Sequence, residues 1–224
     1  QKTGIGDPKM LPKAIALDPT LMTGLPAAIT AATGIDALTH AIETYIATAC
    51  NDTVVAYSKP AIEMIFEYLP KAYTDPQNLE AREAMALASY YAGISLNIAA
   101  LGYVHAIAHQ LGAKYGTPHG LANAIVMPYL LDLYVGAAEQ PLAELADLIG
   151  VTEEGDMASA KALKFVAAVR SLNAQLNIPE NLEALQAEDI PDLVVAAAEE
   201  GRTYAVPKVL SHVQIESILR NMLA

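Results

Sequence analysis

The sequence predicts an all-α protein, a bundle of about eight or nine helices with one short strand near its N-terminus. Hydrophobic residues make up 54% of the 224 residues and charged residues 17%, which is typical of a globular protein with a large core. Apolar residues recur with helical spacing along most of the chain. Only residues 13–18 have the character of a strand, and no other segment offers it a sheet partner. These observations favour helices packed on helices.

The predicted helices follow one another with short connections, and most begin at a capping residue or a proline. The apolar stripes that should face the core include Ile29 in the first helix and Leu163 in a later one. Pro60 is expected to kink the second helix. In chain order the helices are predicted over residues 25–48, from a cap at 51 onwards, over 79–97, over the histidine-bearing segment, over 121–135, 141–149, 158–176 and 189–200, and after a capping box at 211–214.

Three of the five histidines, His105, His109 and His119, lie within fifteen positions. On a helix, His105 and His109 are one turn apart on the same face. Thr117-Pro118 is typical of an N-cap followed by proline at the first helical position, which places His119 in the first turn of a new helix. Because the connecting loop is only a few residues long, His119 can return to the other two. Neutral imidazole is a common ligand of iron and zinc, so the cluster indicates a metal site more than a packed pair of core histidines.

A second pair with the same spacing, Asp36 and His40, supplies a carboxylate. An aspartate on an apolar helix is costly unless it is paired, hydrogen-bonded or bound to a cation. Together the two pairs and His119 offer one carboxylate and four imidazoles, one group more than a four-coordinate site requires. Spacing alone does not decide which histidine is spare. Glu43, one turn beyond His40, is either a hydrogen-bond partner of a ligating imidazole or a solvated helix residue.

Four segments, in this order and with these separations, resemble the iron-containing alcohol dehydrogenases, and the resemblance is strong from about residue 12 to about residue 127. It implies the C-terminal domain of a dehydroquinate synthase-like fold. The segments are Asp18-Pro-Thr-Leu-Met-Thr-Gly-Leu-Pro26, Ala32-Thr-Gly-Ile-Asp-Ala-Leu-Thr-His-Ala-Ile-Glu43, Val104-His-Ala-Ile-Ala-His-Gln-Leu-Gly112 and Thr117-Pro-His-Gly-Leu-Ala-Asn-Ala124.

The resemblance also implies a role for each candidate residue. Carried over, the metal ligands are Asp36, His40, His105 and His119. His109 is then the catalytic residue, beside the nicotinamide and the substrate. The implied reaction is the reversible oxidation of a small alcohol to an aldehyde or ketone, with hydride passing to NAD or NADP. The implied metal is iron(II), with zinc as an alternative, and the implied enzyme is a homo-oligomer.

No glycine-rich nucleotide-binding loop occurs among the 13 glycines, although relatives of this family carry one in an N-terminal α/β domain. We therefore expect residues 1–20 to be a remnant strand and linker from a missing nucleotide-binding domain. Residues 21–224 are expected to form the helical, metal-binding catalytic domain. Alone, this chain should be inactive.

Charge and composition narrow the range of binding partners and cellular compartments to expect. The net charge of −12, with 13 scattered Lys and Arg residues, argues against nucleic acid and anionic membranes. No apolar run reaches the roughly 20 residues of a membrane helix, and the single Cys50 suits a reducing compartment, so we expect a cytoplasmic protein. Two alternatives remain: a metal-dependent hydrolase built on the same Asp and His residues, for which only Lys114 lies near the motifs to bind an anion, or a non-catalytic metal-binding fragment.

Overall fold

The structure is a computed structural model that describes residues 7–224. Within this range it contains nine α-helices, three short 3-10 helices and no strand, so the all-α prediction is confirmed. The 3-10 helices cover Pro8–Met10, Pro19–Met22 and Ala187–Asp189. The α-helices are α1 (Ala27–Ile46), α2 (Asp52–Thr74), α3 (Leu79–Ala99), α4 (Tyr103–Tyr115), α5 (His119–Tyr134), α6 (Glu139–Leu148), α7 (Ala158–Gln175), α8 (Ile190–Gly201) and α9 (His212–Asn221).

The predicted strand at residues 13–18 does not form. The segment is exposed and has no regular structure beyond a bend at Lys13, and none of the described residues runs beside it as a hydrogen-bonded strand. A strand depends on a neighbouring backbone for its hydrogen bonds, and apolar residues in an extended segment cannot replace that partner. Residues 1–6, which belong to the predicted remnant, lie outside the described residues.

Most predicted helix boundaries are correct to within two residues, and three details are wrong. Pro118 occupies the N-cap position of α5 without a side-chain hydrogen bond, so Thr117 is not the cap and the helix begins at His119. Ile29 is exposed, because the first turn of α1 precedes the point where the helix enters the bundle. Leu163 is also exposed, since the buried stripe of α7 runs through Phe165 and its neighbours. The helix α2 continues through Pro60 without a break.

The helices that carry the candidate residues are neighbours in the bundle. α1 packs against α2, α3 and α5, and α5 also packs against α4. Between α3 and α4 the chain bends by 103°, and Ala100 adopts a positive φ of 63° at the bend. This bend turns α4 back onto the bundle. As a result α5 lies between α1 and α4, and α8 covers another side of α4.

The helices over residues 7–224 lack the features of single membrane spans. Taken singly, none of them combines the length and the apolar composition that crossing a bilayer needs. Taken together, the bent pair of α3 and α4 is long and apolar enough to cross a bilayer, by length and composition only.

Candidate metal centre

Four side chains from three helices converge at the contact of α1, α4 and α5. Asp36, His40 and His105 each present one ligand atom, and these atoms lie within 4.8 Å of one another. The Nε2 atom of His119 is 3.5 Å from Oδ1 of Asp36, and Nε2 of His105 is 3.6 Å from the same oxygen. The ring centroids of His105 and His119 are 5.2 Å apart. The structure thus brings together all four residues predicted to bind a metal.

Gly120 allows α5 to approach α1 closely enough to place His119 beside Asp36. A Cβ atom at this position would lie 2.3 Å from the carbonyl oxygen of Ala32 and 3.3 Å from Cβ of Asp36. Contacts of this kind are shorter than van der Waals separation, so any side chain at position 120 would push the two helices apart. Because His119 directly precedes Gly120, its distance from Asp36 depends on this contact.

Glu43 anchors His105 from the opposite side of the cluster. Its Oε2 atom lies 2.7 Å from Nδ1 of His105 and accepts a hydrogen bond of 2.9 Å from the backbone N–H of Gly102. Its Oε1 atom accepts a hydrogen bond of 2.7 Å from the N–H of Val104. The carboxylate thereby caps the N-terminus of α4, where the helix dipole favours negative charge. Because the carboxylate accepts from Nδ1, Nε2 of His105 is left to face Asp36. Glu43 is therefore a partner of an imidazole in the cluster and not a solvated residue.

Asn123, which sequence reasoning missed, lies at the centre of the cluster. Its Nδ2 atom is 2.6 Å from Oδ1 of Asp36, 3.2 Å from Nε2 of His105 and 3.1 Å from Nε2 of His119. Its Oδ1 atom is buried and has no hydrogen-bond partner among the described residues. The available signal was its position four residues after His119, the same helical spacing that identified the other pairs, in a run over residues 121–131 that is otherwise apolar. One carboxylate oxygen and two ring nitrogens therefore surround one amide nitrogen.

The charges of the cluster depend strongly on one another. Burial acts to raise the pKa of Asp36, but the neighbouring imidazoles of His105 and His40 outweigh it and lower the pKa to about 2. Burial, together with the neighbouring His105, lowers the pKa of His40 to about 4. For His105, burial is outweighed by the nearby carboxylate of Asp36 and by the hydrogen bond with Glu43, which raise its pKa to about 9. The two carboxylates thus favour a positive charge between them.

These residues fit a divalent cation. One carboxylate oxygen and several imidazole nitrogens form a donor set that suits iron and zinc. When the rings are neutral and carry their protons on Nδ1, the ligand atoms of Asp36, His105 and His119 are three acceptors that converge on one donor, the amide of Asn123, which has only two hydrogens. A cation satisfies such a convergence of acceptors better than an amide does.

His109, the predicted catalytic residue, lies beside the cluster and is turned towards a different carboxylate. Its ring stacks on that of His119, with centroids 5.3 Å apart and an interplanar angle of 18°. Its Nδ1 atom is 2.5 Å from Oε1 of Glu200, near the C-terminal end of α8. Spacing alone did not decide whether His105 or His109 is the spare histidine. In the structure His109 is distinguished by its contact with Glu200. Nothing in the sequence pointed to Glu200, which is 91 positions away along the chain.

Comparison with known proteins identifies the family of the chain. The family model described as "Fe-containing alcohol dehydrogenase family, C-terminal" matches residues 30–223. A 1,3-propanediol dehydrogenase of Klebsiella pneumoniae is 41% identical over 212 residues, which are 94% of this chain and 55% of that protein. An NAD-dependent methanol dehydrogenase of Bacillus methanolicus is 37% identical over 224 residues, which are 99% of this chain and 59% of that protein.

Solved structures show the same relationship. A crystal structure of a 1,3-propanediol oxidoreductase superposes with a TM-score of 0.89 and 40% sequence identity, covering 92% of this chain and 54% of that one. The chain spans little more than half the length of the relatives it matches. It therefore belongs to the iron-containing alcohol dehydrogenase family and matches the C-terminal part of that family.

Proposed function

We propose that this chain supplies the metal-binding part of an NAD- or NADP-dependent alcohol dehydrogenase that interconverts a small alcohol and its aldehyde or ketone. The observation that carries the proposal is the convergence of Asp36, His40, His105 and His119 in a chain of this family. Two relatives, named as a 1,3-propanediol dehydrogenase and a methanol dehydrogenase, support a small alcohol as the substrate class.

In this proposal Asp36, His40, His105 and His119 hold a divalent ion, iron(II) in first place and zinc as the alternative. When bound, the ion supplies Lewis acidity towards the oxygen of the alcohol or carbonyl group. Three neutral imidazoles and one carboxylate leave the site with a net charge of about +1. Glu43 binds Nδ1 of His105 and would leave Nε2 of that ring available to hold the ion. Asn123 supports Asp36 through its amide.

The remaining parts of the proposal concern the rest of the enzyme. His109 lies next to the cluster without belonging to it, and this position supports its role beside the nicotinamide and the substrate. The length of the relatives supports a separate nucleotide-binding domain, joined through residues 1–20 to the catalytic domain at 21–224. A homo-oligomer in the cytoplasm, expected from the resemblance and the single cysteine, completes the proposal.

The competing hydrolase hypothesis is weaker in the light of the geometry. It needs a basic side chain near the metal to bind an anionic substrate. Lys114, the one candidate near the motifs, forms an ion pair with Asp189, with 2.8 Å between Nζ and Oδ1. No observation favours this function over the dehydrogenase.

Metal content measured by elemental analysis tests the proposal directly. The protein is purified without added metal or chelator and compared with His105→Ala, His119→Ala and the control His212→Ala, a histidine exposed at the start of α9. We expect about one equivalent of iron or zinc in the wild type and the control, and its loss in the other two variants. Metal retained equally by all four proteins would contradict the ligand assignment.

Activity then tests the reaction. With NAD or NADP and a panel of small alcohols, the metal-loaded full-length enzyme should reduce the nicotinamide, and removal of the metal by a chelator should abolish the reaction. A metal-loaded enzyme that oxidises none of these alcohols and reduces none of their aldehydes would overturn the dehydrogenase proposal.

A further inference from the structure

A second group of hydrogen-bonded side chains, centred on the carboxylate of Glu200, lies on the α8 side of α4, next to the proposed metal site. Both oxygens of Glu200 are occupied by side chains. Oε1 is 2.5 Å from Nδ1 of His109 and accepts a hydrogen bond of 2.8 Å from the hydroxyl of Tyr204, while Oε2 accepts one of 2.8 Å from the amide of Gln110. A carboxylate with three side-chain partners is held in one orientation.

The contacts of His109 fix its ring at two places. One edge of the ring is bound to Glu200 through Nδ1, and one face is stacked on His119. Because an ionised carboxylate can only accept, a neutral His109 in this contact carries its proton on Nδ1. Nε2 is then the lone-pair nitrogen, on the opposite edge of the ring.

The arrangement repeats that of His105, one turn earlier on α4. His105 also has Nδ1 on a carboxylate, but that carboxylate, Glu43, comes from α1 whereas Glu200 comes from α8. Two helices on different sides of α4 thus place a carboxylate acceptor at Nδ1 of two successive histidines. For His105 the orientation directs Nε2 at Asp36. For His109 the partner of Nδ1 is Glu200, which is not one of the proposed metal ligands.

We propose that Glu200, supported by Tyr204 and Gln110, is a positioning residue that holds His109 in the Nδ1–H tautomer and so offers its Nε2 atom to the alcohol or carbonyl substrate. The role in substrate binding rests on the proposed dehydrogenase function. The tautomer and its dependence on Glu200 do not, because they follow from the hydrogen bonds of the protein alone.

The tautomer is measured first, on metal-free protein labelled with nitrogen-15 histidine, at a pH where the ring is neutral. The His109 resonances are assigned by their loss in His109→Ala. We expect the proton on Nδ1 in the wild type and a mixture of both tautomers in Glu200→Gln, because a carboxamide can donate to Nδ1 as well as accept from it. The matched control is Glu199→Gln, an exposed neighbour on α8. An Nε2–H tautomer in the wild type, or an unchanged tautomer in Glu200→Gln, overturns the proposal.

Kinetics of the full-length enzyme test the role in catalysis. We expect Glu200→Gln to lower kcat by about 10- to 100-fold with unchanged metal content, and Glu199→Gln to have no effect. Glu200→Asp keeps the charge and should recover part of the loss. If Glu200→Gln shows wild-type kcat in an active enzyme, the positioning role is overturned while the dehydrogenase proposal stands. If the wild type is inactive although metal is bound, the dehydrogenase proposal fails and the tautomer measurement alone decides the role of Glu200.

Discussion

The two carboxylate–imidazole pairs that involve the histidines of α4 differ in burial, and this difference fits the separate roles proposed for them. In the Glu43–His105 pair the side chains are 3% and 1% exposed, whereas in the Glu200–His109 pair they are 26% and 21% exposed. A buried pair must be fully hydrogen-bonded to be tolerated and cannot move without leaving charges unpaired. A partly exposed pair can admit a substrate. One helix therefore carries both a rigid group suited to hold a metal and an accessible group suited to face a substrate.

The largest effect is expected when the buried pair is broken by Glu43→Ala. The N–H groups of Gly102 and Val104 and Nδ1 of His105 would lose their acceptor in the protein interior. The free energy of unfolding, measured with chemical denaturant, should fall by about 3–5 kcal/mol, and metal should be lost. Glu83→Ala, at an exposed position of α3, serves as the control. If the free energy of unfolding of Glu43→Ala fell no more than that of Glu83→Ala, Glu43 would not anchor α4.

Removing the carboxylate of the partly exposed Glu200–His109 pair tests the contrast between the two pairs. Glu200→Ala removes hydrogen bonds that are already partly screened by solvent, so we expect the free energy of unfolding to fall by only about 1 kcal/mol. If Glu200→Ala destabilises the protein as much as Glu43→Ala does, the distinction between a rigid and an accessible pair is wrong.

The close approach of α5 to α1 is tested by Gly120→Ala. The new methyl group would lie 2.3 Å from the carbonyl oxygen of Ala32, so α5 must shift away from α1 and carry His119 from Asp36. We expect a loss of about 1–3 kcal/mol in the free energy of unfolding, together with weaker metal binding by titration. Gly136→Ala is the matched control, because a methyl group there meets nothing within 4 Å. Unchanged metal affinity in Gly120→Ala would mean that this contact does not set the site.

These residues also show how far sequence reasoning extends. Helical spacing identified Asp36 with His40 and His105 with His109, because residues four apart share a helix face whatever the tertiary structure. It could not choose between His105 and His109, since that choice depends on which carboxylate each ring meets, and Glu200 lies on a helix far along the chain. The buried Asn123 was open to the same spacing argument as Asp36 and was missed. The predicted strand was wrong because a strand is defined by its partner and not by its own residues.

A smaller effect, confined to the metal, is expected from Asn123→Ala. The amide supports Asp36 and lies within hydrogen-bond distance of His105 and His119, so its loss should weaken metal binding by about 10- to 100-fold in titrations. Asn97→Ala, at an exposed asparagine on α3 whose side-chain amide donates to the carbonyl of Gly93, is the control. Equal metal affinity in the two variants would show that Asn123 only fills space.

The smallest effect is expected from Gln110→Ala, which removes one of the three partners of Glu200. The hydrogen bond from its amide to Oε2 is 2.8 Å long, and the side chain is only partly buried. One such bond contributes about 0.5–1.5 kcal/mol, so kcat should fall by a few-fold, less than in Glu200→Gln, while the metal content stays unchanged. In the double variant Gln110→Ala/Glu200→Gln the loss should not exceed that of Glu200→Gln alone, because Gln110 acts through Glu200. Additive losses would mean instead that Gln110 affects catalysis by a separate route, and they would remove Gln110 from the group that holds His109.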